Sequence, residues 1–333
     1  MKRPSFVPDN FTLALVAVVL LATLLPAQGL VATFFDAATG GVIGLLFFLH
    51  GAKLSREAIK AGLMHWRLHL LVFSCTFVMF PLLGLALKPL LQPLVTREIY
   101  TGVLFLCVLP ATVQSAIAFT SIARGNMPAA VCSASASTLL GVFVTPVLVN
   151  LVVLPHAAAS HALDSIGRIL MQLMLPFVVG HLARPWLAGW MHRRKQVLGL
   201  VDRGSILLVV YTAFSAAVIE GLWKQVPLLA LVGLLVVCAV ILACALLLSG
   251  WFARRLGFHK ADEITIVFCG SKKSLASGIP MAKVLFPAQS VGAIVLPLML
   301  FHQMQLMVCA VLAQRYARRV DDAPVSEAVQ QAG

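Results

Sequence analysis

Two adjacent lysines, Lys272 and Lys273, interrupt an apolar run that extends from Ile264 to Phe286. A cation at the centre of a bilayer costs about 2.5–3.5 kcal/mol on insertion scales, so a charge retained in such a run is usually functional. Each of the 12 acidic residues falls in a loop, a tail or the end of an apolar run. No carboxylate is therefore expected beside the pair. At least one ammonium is expected to face a water-filled cavity, where it would attract an anion. A purely structural pairing, or a boundary position reached by snorkelling, is the plainer alternative.

A second polar interruption lies in the run from Ile99 to Ala123, where Pro110 is followed by Ala111, Thr112, Val113, Gln114 and Ser115. Proline removes a backbone donor and crowds the preceding turn, so the helix should break or kink there. The lysine run has the same plan, with Gly270 and Ser271 before the lysines and Ser274, Ser277, Gly278 and Pro280 after them. Opened backbone in lipid survives only where protein or a water-filled cavity satisfies it. Two interrupted helices at matching places in two halves of a chain are the best sequence pointer to a carrier's binding site.

The substrate-contacting residues expected from these breaks are Thr112, Gln114, Ser115, Ser271, Lys272, Lys273 and Ser274, joined by His302 and Gln303 of the last run. Gln305 lies beside them. Interhelical hydrogen bonding explains the His302 to Gln305 cluster equally well. Ser133, Ser135, Ser137 and Thr138 are expected to bond their own backbone or a neighbouring helix.

The elements that hold these residues follow from composition. Of the 333 residues, 60% are hydrophobic and 11% charged, against roughly 45–50% and 25% in a soluble domain. With about 20 apolar residues needed to cross a ~30 Å core, ten spans are expected, near 11–28, 38–54, 68–87, 99–123, 129–153, 165–183, 205–221, 227–249, 264–286 and 290–313. Placing both ends in the cytoplasm leaves Lys88, Arg97, Arg168, Lys224 and Lys283 on the far side and puts 18 of the 25 Lys and Arg residues inside. That bias supports both the count and the orientation. The net charge of +13 thus reads as topology, with no nucleic-acid partner. Lys2 and Arg3 ahead of Phe11 to Leu25 also fit a signal peptide, whose removal would leave nine spans.

Ten spans split into five plus five, and an odd number per half inverts the second copy. At an offset of 159 residues Val108 meets Val267, Ser115 meets Ser274, Ala123 meets Ala282, Pro128 meets Pro287 and Ala129 meets Ala288. Shared apolar bias is the competing explanation. The division is residues 1–154 for the first repeat, 155–320 for the second, and a disordered cytoplasmic tail over 321–333. The seven cysteines lie in apolar runs without C-x-x-C spacing, so they are assigned to packing. Gly40-x-x-x-Gly44 permits a close helix approach. Neither H-E-x-x-H, G-x-S-x-G nor a Walker sequence occurs; no catalytic residue, metal or cofactor is expected.

Ala123-Arg124-Gly125-Asn126 after the broken fourth span, Ser137-Thr138-Leu139 and Thr145-Pro146 in the fifth, and Gly270 to Ser274 in the ninth resemble the bile acid:sodium symporter family over essentially the whole chain. The string from Gly270 to Pro280 looks most like its divergent bacterial branch. The resemblance implies an all-α membrane protein with ten transmembrane helices as two inverted five-helix repeats, helices 4 and 9 being broken and crossing. It also implies a panel and a core domain that alternate access by rocking around the crossover of spans four and nine, and a bacterial inner-membrane location; the small organic anion expected as solute follows from the lysine pair.

Sodium is a further implication, but its ligand positions are not retained. Counted without gaps they fall on Ala116, Ile117, Ala130, Ala134 and Phe268, and a one-residue slip recovers only Ser115. A hard cation needs oxygen ligands. A membrane regulator or sensor that modulates another transport process is the rival from a different class. An intramembrane enzyme using a lysine as base or nucleophile lacks the complementary motif.

Overall fold

A computed structural model describes residues 10–53, 65–153, 159–219, 221 and 227–318. Lys2, Arg3, the tail expected at 321–333, and the charged residues Glu57, Lys60, Glu220 and Lys224 lie outside the described residues. Among those described there is no strand, and the chain is all-helical. The helices are α1 (Asn10–Leu24), α2 (Gly29–Lys53), α3 (Trp66–Ala86), α4 (Arg97–Val108), α5 (Gln114–Ile122), α6 (Met127–Val153), α7 (Ala159–Arg193), α8 (Lys195–Ile219), α9 (Leu228–Arg255), α10 (Lys260–Gly270), α11 (Leu275–Leu285) and α12 (Ala288–Ala317). Six of them, α2, α3, α6, α8, α9 and α12, are long and apolar enough to cross a membrane. Exposed Leu30, Trp186 and Leu229 are the outward apolar side chains that lipid accommodates and water would not. The chain is an integral membrane protein.

Both expected interruptions are present. The fourth apolar run is two short helices, α4 and α5, separated at residues 109–113, and the ninth is α10 and α11, separated at residues 271–274. The helix starts are written in the sequence. Thr96 accepts a hydrogen bond from the Ile99 amide, Asn126 from Ala129, and Ser274 from Ser277, each satisfying an orphan donor of the first turn. The exit from α5 is a paired hydrogen-bond cap, Gly125 N–H to Thr120 O at 2.8 Å and Arg124 N–H to Ser121 O at 3.2 Å, and Arg124 takes the left-handed conformation that glycine usually supplies there.

The helices form two groups. In one, α2 packs along α7 and α8, and α1 against α8; in the other, α3 to α6 and α9 to α12 surround the two breaks, and α8 also packs across the boundary onto α11 and α12. The α2–α7 contact is backbone against backbone: a Cβ on Gly51 would run into the Phe177 carbonyl oxygen, and one on Gly180 into the Phe48 oxygen. The close approach that the Gly40 and Gly44 spacing permits is made at Gly51 instead. A Cβ on Gly40 would meet no other part of the protein within 4 Å, and one on Gly44 only the Pro176 side chain at 4.0 Å. Small residues permit contact, and the partner helix decides which of them uses the permission. Between the groups, Lys283 of α11 pairs with Asp36 of α2 at 2.7 Å.

Candidate functional site

The two breaks touch. The Ser274 amide donates to the Pro110 carbonyl at 2.9 Å, so the start of α11 is bonded directly to the gap between α4 and α5. A Cβ on Gly141 of α6 would meet the Pro110 ring at 2.5 Å, which leaves glycine as the residue that lets the proline seat there.

The last carbonyls of α4 have lost their helical donors, because the chain turns extended at Leu109 and residue 110 has no N–H. Lys273 replaces them. Its Nζ donates to the carbonyls of Cys107 and Leu109, each at 2.8 Å, while the Thr145 hydroxyl donates to Val108 O at 2.9 Å. The Ala111 amide in the gap donates to Ser137 Oγ at 3.0 Å. A cation is the favoured group at the negative end of a helix dipole.

The third bond of Lys273 runs to Thr76 O, also at 2.8 Å, and has a readable cause. A π turn over Cys75–Met79 sends the Phe80 amide back to Cys75 O. In that register Thr76 O would be paired with the next amide, and residue 81 is a proline without one. Lys273 fills the vacancy, with its Nζ 4.1 Å from the Phe80 ring centroid. Backbone bonds fix its orientation, since Gln305 of α12 accepts from the Lys273 N–H and donates to the Lys273 carbonyl, each at 3.0 Å.

Lys272 points elsewhere. Its Nζ lies 3.8 Å from the centroid of Phe119 and 5.3 Å from that of Phe268, and donates to Ser115 O at 3.1 Å. Ammonium groups bind aromatic faces through the ring quadrupole, most strongly when desolvated. Phe268 is the position where the resemblance puts an acidic residue; an aromatic face stands there. Ala116, Ala130 and Ala134, the other implied sodium-ligand positions apart from Ile117, are fully buried and bring no side-chain oxygen.

Both lysines are 0% exposed, which corrects the expectation that one amine faces an aqueous cavity in this conformation. Thr112 and Ser115 share a hydroxyl hydrogen bond of 2.6 Å at the start of α5, whose cap position, Val113, offers no side-chain acceptor. Gln114 is exposed beside them. The Ser271 hydroxyl bonds back to Val267 O at 2.6 Å. His302 Nδ1 lies 2.9 Å from Gln305 Nε2, and Gln303 is half-buried on α12. The crossing thus unites Thr112, Ser115, Lys272, Lys273 and Ser274, with His302 one bond removed through Gln305.

A second junction ties the crossing helices at the loop before α6. Asn126 Nδ2 donates to Asp262 Oδ1 at 2.7 Å, its backbone N–H to Thr265 Oγ1 at 3.0 Å, and the Thr265 hydroxyl returns to Asn126 O at 3.1 Å. His69 of α3 joins α6 through Ser133 Oγ at 2.7 Å.

Interrupted helices bonded across their gaps, with ammonium groups inside, place this fold among membrane transporters. Residues 9–318 match the SBF-like CPA transporter family, and the chain belongs to it. It is 70% identical over 323 residues, 97% of each chain, to Uncharacterized protein PA2026 of Pseudomonas aeruginosa. It is 58% identical over 313 residues, 94% of each chain, to Putative symporter YfeH of Escherichia coli. Similarity extends to Sodium/bile acid cotransporter 7 of Rattus norvegicus, at 29% identity over 274 residues, 81% of this chain and 80% of the relative.

Proposed function

We propose that the protein is a secondary transporter of a small organic anion in the bacterial inner membrane, working by alternating access around the crossing of α4–α5 and α10–α11. In this reading the chain makes ten spans as two inverted five-helix repeats with both ends in the cytoplasm. The relatives named as a symporter and as a sodium/bile acid cotransporter support the transport of an organic solute. The division into a group of α1, α2, α7 and α8 and a group around the breaks supports a rocking motion of one against the other.

The carrying observation is the balance of charge at the crossing. Lys273 spends its three donors on backbone carbonyls at 2.8 Å, two of them at the C-terminal end of α4. The N-terminal, positive end of α5 keeps Gln114 exposed and has Lys272 bonded to its first turn through Ser115 O. Among the described residues no carboxylate pairs with either amine. Positive helix ends and an unpaired cation favour an anion. Lys272, with one bonded donor of the three an ammonium has, is the lysine assigned to the substrate; Lys273 stands where a bound cation would otherwise neutralise the carbonyls.

Purified protein in proteoliposomes should accumulate a labelled organic anion without an obligatory sodium gradient, and Lys272→Met should abolish uptake. Strictly sodium-dependent uptake that survives Lys272→Met would sink this reading. Stoichiometric binding with no flux would reassign the protein as a sensor.

A further inference from the structure

A groove of about 730 Å³ lies between α9 and α12. Its walls are apolar, with Leu246 and Leu247 on α9 and Met304, Val308 and Val311 on α12, and Val267 of the crossing helix α10 also lines it. Leu247 is 70% exposed and Val308 41%, so the groove opens toward the surroundings of the helix bundle and not toward its core. Two arginines, Arg254 and Arg315, line it together with Tyr316, and all three stand near the C-terminal ends of their helices.

The local charge does not cancel. Arg254 Nη1 lies 3.2 Å from Glu263 Oε1, and Lys260 Nζ lies 3.0 Å from both oxygens of the same carboxylate, with the Lys260 Nζ also 5.2 Å from the Tyr316 ring centroid. Glu263 is thus shared by two cations, and Arg315 adds a third positive charge at the same end. The stretch from Met304 to Arg315 rises about 16 Å, roughly half of a ~30 Å hydrocarbon core. The groove therefore has the length of one leaflet, apolar along its course and cationic at its mouth. Basic pockets between transmembrane helices select anionic head groups.

We infer that this groove binds one anionic phospholipid, its acyl chain along α9 and α12 and its phosphodiester between Arg254 and Arg315. The occupant touches Val267, so a seated lipid buttresses α10, the helix that delivers both lysines to the crossing.

The test is native mass spectrometry of the detergent-purified full chain titrated with phosphatidylglycerol and with phosphatidylcholine of identical acyl chains. Phosphatidylglycerol should bind at least about fivefold more tightly, the effect of one basic residue at the membrane surface. Arg315→Gln should remove about fivefold from phosphatidylglycerol binding and leave phosphatidylcholine unchanged, while Arg315→Lys keeps the preference. Arg315 is chosen because Arg254 also holds Glu263. Val308→Trp, which fills the groove, should weaken both lipids. Equal affinity for the two lipids, an unaltered preference in Arg315→Gln, or wild-type lipid binding by Val308→Trp would each overturn the assignment. Displacement of phosphatidylglycerol by millimolar inorganic phosphate alone would overturn it too, by showing a site for free anions.

Discussion

Lys272 and Lys273 are neighbours in sequence, equally buried, and held in opposite ways. Lys273 has three carbonyl acceptors at 2.8 Å and a backbone clamped by Gln305. Lys272 has one carbonyl at 3.1 Å and two aromatic rings. An ammonium can donate three hydrogen bonds, so one lysine is saturated and the other is not. The first acts as an internal cap, completing backbone that a proline and a helix end left open; the second keeps donors for something else. Burial alone would have assigned both the same role.

The sharpest way to break this comparison is Lys273→Met. It leaves three carbonyls without their donor where no water reaches, at about 1–3 kcal/mol for each unsatisfied group. A loss of at least about 3 kcal/mol is expected, seen as a large fall in apparent Tm and in the monodisperse fraction after detergent extraction. A variant that extracts and melts like the wild type would show that these carbonyls find other partners and that Lys273 is not a cap.

Gln305→Leu attacks the same cap from behind. The amide side chain is fully buried and joins both the N–H and the carbonyl of Lys273, so its loss should cost about 2 kcal/mol. Uptake by the folded fraction should persist at a reduced rate, since the amine itself remains. An unchanged melting temperature would mean that the path of the break is fixed by Ser274 and Pro110 alone.

These partners mark where the sequence stops being informative. The breaks themselves were legible, because Pro110 and the Gly270 to Ser274 run are local departures from apolar helix. That the breaks would bond to each other depends on the crossing, which spacing does not encode. Thr76 was not legible as a partner at all, since its carbonyl is freed jointly by the π turn and Pro81, and a backbone oxygen leaves no mark in residue type. Gln305 stood out only as a polar residue among His302 and Gln303, and the bond that singles it out comes from the break between α10 and α11, 32 residues away. Phe268 was marked only as a position lacking the acidic residue that the resemblance puts there, and nothing in the type of Phe119 or Phe268 announced the lysine that stands over them. The six long helices follow from apolar length, whereas the Gly51 and Gly180 contact needed both helices in view.

Lys272→Met sharpens the comparison from the other side. Methionine retains apolar and sulfur contact with Phe119 and Phe268, so only one hydrogen bond and the cation–π attraction are lost. A stability change of about 1 kcal/mol is expected, together with loss of at least nine-tenths of anion uptake in proteoliposomes. A stability loss as deep as that of Lys273→Met would make both lysines structural. Normal uptake would move the anion site away from α5.

The smallest effect is expected where the charges look best matched. Lys283 and Asp36 approach to 2.7 Å, but the Asp36 side chain is 55% exposed. A pair with one partner this exposed contributes about 0–1 kcal/mol, because solvent already screens the carboxylate. Asp36→Asn should shift the apparent Tm less than Lys272→Met does, although Lys272 has no carboxylate partner and Lys283 has one. The pair joins α2 to α11, and hence one helix group to the other, so any effect should fall on uptake rate. A loss of stability comparable to that of Gln305→Leu would mean that the contact between the groups, and not the buried backbone at the crossing, carries the fold.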